Sequence, residues 1–221
     1  MEFASARLNM VETQLRPNGV VDPALIRAMS EVPRELFVPA EQRPLAYADG
    51  DIELGSDAAM SPRFLLEPMT FGRMVQLLML RREDQVLDVG CGSGYSCTVL
   101  SHLAHTVVGL ESDAELAAQA EATLKSLQVR NVKLTLSNLP GGDAAGGLYD
   151  AILVNGRIEE PPLVLLGQLK DGGRLAAVVG DRELARIALF TRSGAFSVRY
   201  AFDAAAPLLP GFAAKRPAFA F

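Results

Sequence analysis

Three glycines at alternate positions, Gly90, Gly92 and Gly94, follow the apolar run Val86-Leu87-Asp88-Val89 and precede Tyr95. Lacking a Cβ, a backbone can turn tightly there and come close to a bound molecule. A helix opening after the turn presents unpaired N–H groups that favour an anion. A second apolar run ends in Leu110-Glu111, with Ser112 beside it. A carboxylate at a strand tip can accept hydrogen bonds from two ribose hydroxyls. A dinucleotide site places its third glycine at the sixth position of G-x-G-x-x-G. Here the sixth position is Tyr95 and the third glycine is Gly94, with the acid Asp88 two residues before the first. That spacing disfavours a nicotinamide-linked oxidoreductase. It leaves a nucleoside of another kind, or a turn that binds nothing.

The elements around these residues must place them at one crevice. From Arg82 onward, short apolar runs alternate with helical stretches. Strands are expected at 85–89, 106–110, 132–136, 151–154 and 175–179, with helices at 95–103 and 113–127. Near-continuous apolar strands separated by helices imply a parallel sheet covered on both faces. Two later runs, 187–191 and 197–202, joined through Ser193-Gly194, predict a closing antiparallel hairpin. The tail after Ala206, with Pro207, Pro210, Gly211 and Pro217, reads as irregular. Residues 1–80 read differently. Asp22-Pro23 is a helix start, ended at Val32-Pro33. Residues 40–62 read as an ordered loop, and 64–79 as a second helix with Pro68 near its first turn. The expected division is an N-terminal helical and substrate-loop region over 1–80 and a ligand-binding domain over 81–221, the two forming one compact unit.

The chain has 221 residues, 49% of them hydrophobic and 21% charged, and a net charge of -5. A core of useful size can be buried, which excludes wholesale disorder. A mildly acidic chain without a dense basic run is a poor fit to nucleic acid. No stretch approaches the roughly 20 apolar residues of a membrane span, and no apolar signal core opens the chain. A soluble, cytoplasmic enzyme is the expectation. Cys91 and Cys97 are too few for a thiolate zinc site, and His102 and His105 lack a carboxylate pattern beside them, so no metal is expected. Cys91 is read either as a thiol acidified near a helix N-terminus or, more simply, as a small residue in a tight turn.

The loop Asp88 to Tyr95, with Glu111 after it, resembles the S-adenosylmethionine site of class I methyltransferases. Tyr149-Asp150-Ala151-Ile152-Leu153-Val154-Asn155 is similar to their fourth-strand motif, and Leu169-Lys170-Asp171-Gly172-Gly173-Arg174-Leu175 to the turn into their fifth strand. The resemblance implies a doubly wound α/β fold, a mostly parallel seven-stranded Rossmann-like methyltransferase sheet with an N-terminal helical extension. It implies S-adenosyl-L-methionine as cofactor, held by Asp88, Gly90, Cys91, Gly92, Gly94, Glu111, Ser112 and Asn138. Asp88 would help to hold the methionine amino group.

The N-terminal part narrows the resemblance. Met10-Val11-Glu12-Thr13-Gln14-Leu15, Val32-Pro33-Arg34-Glu35-Leu36-Phe37-Val38-Pro39 and Ala46-Tyr47-Ala48-Asp49 are similar to protein-L-isoaspartate O-methyltransferases. That family methylates the free carboxylate of isoaspartyl residues in damaged proteins, so a peptide bearing such residues is the implied partner. A carboxylate of pKa about 4 is already ionised at neutral pH, so no general base is needed. The family's substrate loop reads Gly-x-Thr-Ile-Ser-Gln-Pro, and its serine contacts the substrate carboxylate. Aligned on Pro62, this chain has Met60 at the serine position and Ser61 one residue late. Arg63 is read either as a substitute charge for the carboxylate or as a solvated surface residue. The family's Gly-Asp-Gly after the third strand is replaced by Ser137-Asn138-Leu139, where Asn138 would accept from adenine as a neutral group. Asn155 would orient a substrate oxygen or cap a strand end. A different methyl acceptor, or cofactor binding without isoaspartyl activity, remain as alternatives. If Glu111 grips a ribose, Glu111→Ala weakens S-adenosylhomocysteine binding by about 2–4 kcal/mol in a calorimetric titration.

Overall fold

The computed structural model describes residues 3–55, 62–143 and 145–214. Seven strands form the central sheet: β3 (Gln85–Val89), β4 (Thr106–Glu111), β5 (Val132–Leu136), β6 (Tyr149–Ile158), β7 (Leu169–Val179), β8 (Arg186–Ser193) and β9 (Ala195–Asp203). Their spatial order is β5-β4-β3-β6-β7-β8-β9. The pairs from β5 through β7 are parallel, and β8 and β9 are antiparallel. Chain order reverses at β3, between β4 and β6. The carboxyl ends of these three strands therefore open on the crevice where such sheets bind ligands.

Side chains alternate across the strands. Val86, Ala151, Leu153, Ala176 and Val178 join one apolar cluster, while Leu87, Ile152, Val154, Leu175 and Ala177 join another. The first is covered by α1 (Phe3–Met10), α2 (Pro23–Glu31), α3 (Pro68–Leu77) and α4 (Tyr95–Ser101), and reaches Leu116 of α5 (Ala114–Ser126). The second is covered by α6 (Leu163–Gly167) and by Leu209 and Phe212 of the tail. Covering both faces is what lets the central strands β3 and β6 be buried along nearly their whole length.

The helix starts follow local chemistry. Asp22 accepts from Ala24 N (2.8 Å) and Leu25 N (2.9 Å), with Pro23 at the first helical position. Asp113 caps α5 through Glu115 N (2.9 Å) and Leu116 N (3.1 Å).

The segment before β3 departs from expectation. Residues 64–67 are not helical: Arg63–Leu65 is strand β2, paired antiparallel with β1 (Ile52–Gly55) inside the stretch read as loop. The ring of Pro68 excludes the helical conformation from Glu67, which is extended at φ -52° and ψ 148°, so α3 begins at Pro68. It ends before Met79, whose φ is 45°. β6 continues through Asn155 to Ile158, so Asn155 does not cap a strand end. Between residues 207 and 214 the tail contains no long element but is anchored. Arg157 N donates to Pro207 O (2.8 Å), and Leu209 N donates to Arg157 O (2.9 Å).

Arg34 ties the N-terminal part to the sheet. It is completely buried, donating from Nε to Ala46 O and from Nη2 to Leu66 O, both at 2.7 Å. Its guanidinium carbon lies 4.9 Å from the centre of the Tyr95 ring. Burial lowers its pKa from the ordinary arginine value. The Val-Pro-Arg-Glu string is therefore a clamp that fixes the backbone at Ala46 and at Leu66 against α4. Arg34→Ala removes two charge-assisted hydrogen bonds and lowers stability by about 3–5 kcal/mol, read from the urea unfolding midpoint.

Candidate functional site

Glu111 ends β4 with a side chain 1% exposed. Its Oε1 accepts from Arg63 Nη1 (2.6 Å), Ser112 N (2.7 Å) and Asp113 N (3.1 Å), and its Oε2 accepts from Gly92 N (2.7 Å). Glycine loop and strand tip are thus joined through one carboxylate. The loop turns because Gly90 N and Cys91 N both donate to Leu110 O, at 2.8 and 3.2 Å, with Gly90 at φ 78°. Gly94, at φ 93°, opens α4, and a Cβ there would meet Ala120 Cβ of α5 at 3.0 Å.

Asp88 is fully buried at the floor. It accepts from the Asn155 side-chain amide, and Cys97 Sγ donates to it at 3.1 Å. Burial pushes its carboxyl up to about 6, with the nearby Glu111 charge adding to this and hydrogen bonds from Ser96, Cys97 and Asn155 opposing it. Asp88 therefore orients Asn155 through one oxygen and holds the Cys97 thiol on the other, and an amino group would compete with one of these for it. Cys91 and Cys97 are both buried and free. At Cys91, the hydrogen bond from Cys97 favours the thiolate but is outweighed by burial and the two carboxylates. Its pKa is raised, so the reading of an acidified thiol is overturned.

Residues far apart in sequence cover the loop. A Cβ on Gly90 would lie 3.0 Å from both Arg63 Nη2 and Leu209 Cδ2, and one on Gly92 would lie 2.9 Å from Leu54 Cδ1. Two cavities of about 10 Å3 each remain, one lined by Leu54, Phe64, Gly90, Tyr95 and Asn155, the other by Arg63, Leu66, Asn155, Pro207 and Leu209. Each holds at most a water molecule.

Asp88, Gly90, Cys91, Gly92, Gly94, Glu111, Ser112 and Asn155 are thus gathered at one crevice. Asn138 is exposed and caps the next turn, accepting from Gly141 N at 2.9 Å. Met60 and Ser61 lie outside the described residues. Arg63 is 2% exposed, which removes the reading of a solvated charge. The covering roles of Leu54 and Leu209 were not legible in sequence, because no local pattern links either to the loop. Among the described residues, no group of three or more His, Cys, Asp or Glu could hold a metal ion, and no helix is long and apolar enough to cross a membrane.

The family model for protein-L-isoaspartate(D-aspartate) O-methyltransferase matches residues 6–205. The chain belongs to this family. A protein-L-isoaspartate O-methyltransferase from Synechococcus sp. strain JA-2-3B'a(2-13) is 41% identical over 81% of this chain and 71% of the relative. One from Methanoregula boonei is 38% identical over 85% and 84%. A solved protein-L-isoaspartate O-methyltransferase superposes with a TM-score of 0.80 at 22% identity, covering 93% of this chain and 66% of the other. A candidate family member from Plasmodium falciparum, solved with S-adenosyl-L-homocysteine, gives 0.77 at 20% identity over 92% and 97%. These two likenesses establish the fold.

Proteins of this family are S-adenosylmethionine-dependent methyltransferases, and the residues here fit that cofactor's nucleoside. Glu111 stands at the strand tip beside the glycine loop. The atoms over Gly90 and Gly92 are the ends of Arg63, Leu54 and Leu209 side chains rather than backbone, so side-chain rotation can clear the cradle. In the conformation described, these side chains close it.

The raised Asp88 pKa fixes a pH dependence. The folded state holds this proton more tightly than an unfolded aspartate near 3.8, so the group stabilises the fold relatively below that pH. That contribution is lost as pH rises from about 4 to about 6. The stability of Asp88→Asn relative to the unchanged chain should therefore climb over this window, by about 1–3 kcal/mol, in urea unfolding at successive pH values.

Proposed function

We propose that this chain transfers the methyl group of S-adenosylmethionine to the carboxylate of an isoaspartyl residue in a damaged protein or peptide. The observation that supports it best is the Glu111 carboxylate bonded to the glycine loop at the switch point of a sheet of this family. When bound, the cofactor supplies a methyl already activated on a sulfonium. The chain's own residues then have three tasks. Glu111 holds the ribose, and the backbone of Gly90 and Gly92 lies close to the nucleoside. Leu54, Phe64, Leu66 and Leu209 exclude water from the reacting atoms. Asn155, whose amide donates to Asp88, lines the cavity beside Arg63 and Leu66 on the acceptor side. No base is called for, because the acceptor arrives ionised. The chain's remaining contribution would be to hold methyl donor and acceptor in register, which can supply a large part of a barrier reduction.

At the position of the family's serine this chain carries no hydroxyl under either of two alignments. Pro68, not Pro62, opens a helix, and matching the family's Gln-Pro to Glu67-Pro68 places the buried Leu66 at the serine position. Leu66 has no hydroxyl, and neither does Met60 under the other alignment. This favours a second reading, methyl transfer to a different acceptor. Incubation with labelled S-adenosylmethionine and a matched peptide pair decides between them. The isoaspartyl peptide is labelled and its aspartyl twin is not. Labelling of neither, with S-adenosylhomocysteine bound, would assign the transfer to another acceptor.

A further inference from the structure

Arg63 and the ribose compete for the same carboxylate. Arg63 Nη1 lies 2.6 Å from Glu111 Oε1, and Arg63 Nη2 occupies the space above Gly90. A nucleoside held by Glu111 therefore requires the guanidinium to leave. Ribose hydroxyls are neutral, so Glu111 keeps its charge and gains donors. Arg63 instead loses the carboxylate it is bonded to while remaining buried, a state that buried charges strongly disfavour. It is held there by its backbone, which pairs with Gly55 in the β1–β2 hairpin. Its neighbours at the adjoining cavity are Asn155, Leu66 and Leu209. A second carboxylate entering beside Asn155 would restore neutrality, and a guanidinium fork matches it with two parallel hydrogen bonds.

We infer that Arg63 exchanges carboxylates: it holds Glu111 while the crevice is closed and, once the ribose displaces it, binds the carboxylate of the methyl acceptor. This rests on the methyl-transfer reading above. It supplies the acceptor contact that the missing serine leaves open, and it orders binding, with methyl donor before acceptor. It also provides for release. Transfer forms a C–O bond at the acceptor and breaks the C–S bond, whose electron pair stays on sulfur. The acceptor becomes a neutral ester, and Arg63 is again without an anion. Its return to Glu111 expels the nucleoside.

The test compares the unchanged chain with Arg63→Gln. Calorimetry measures S-adenosylhomocysteine and methylthioadenosine, a nucleoside without a carboxylate, and steady-state kinetics follow an isoaspartyl peptide. Both nucleosides should bind Arg63→Gln about tenfold more tightly, although the variant itself melts at lower temperature. The peptide KM should rise at least about tenfold, more than kcat falls. Arg63→Lys, which keeps the charge but loses the fork, should fold and show the same changes in smaller measure. It serves as the test if Arg63→Gln does not fold. Unchanged nucleoside affinity, or weaker binding of both nucleosides, would make Arg63 merely structural. Weaker S-adenosylhomocysteine with unweakened methylthioadenosine would assign Arg63 to the donor's own carboxylate. Each of these results overturns the exchange. Absence of nucleoside binding in every form overturns instead the methyl-transfer reading on which it rests.

Discussion

A single dehydrated carboxylate organises the crevice. Glu111 is enclosed at the tip of β4, where an unpaired charge would be costly, so each oxygen must find donors. It finds three backbone N–H groups, of Gly92, Ser112 and Asp113, and the Arg63 guanidinium. The first pulls the glycine loop against the strand tip. The next two shape the turn that lets Asp113 cap α5. The last draws the β1–β2 hairpin down over the loop. Loop geometry, helix start and cover thus answer to one charge-balance requirement.

The cover is assembled from two segments distant in sequence. The hairpin segment is clamped by Arg34, which bonds to Ala46 O and Leu66 O from within the core. Leu209 is brought in by the tail, whose backbone bonds to Arg157 of β6. The loop itself is fixed to β4. Beneath them, burial pushes the Asp88 carboxyl up to about 6. Two carboxylates can therefore share the crevice without both being charged below about pH 6. One serves as a rigid support for Asn155, and the other remains the charged partner of whatever lies above it.

The parts of the fold legible in sequence were those with local causes. Asp22-Pro23 and Asp113 cap helices through their own neighbours. The run at 85–89 is a strand as read, because its apolar character suits a position buried on both faces, and 132–136 is one as read at the sheet edge, where Lys133 and Thr135 alternate with apolar residues. The misread parts had non-local causes. Residues 64–67 have apolar spacing compatible with a helix, but pairing with β1 and the ring of Pro68 make them extended. Asn155 is at the end of an apolar run, but β6 continues through a shifted register with β7 between Leu153 and Arg157.

By itself, the order of residues determined that a glycine turn follows one strand, that an acid ends the next, and that helices alternate with these strands. These are properties of backbone freedom, side-chain charge and periodicity, which act within a few residues. Only the tertiary structure decided what that acid does. Folding places Arg63 on Glu111 and Leu209 on Gly90 across long stretches of chain, because a buried charge and an apolar surface each accept whatever complementary group packing delivers. Sequence spacing carries no record of that choice.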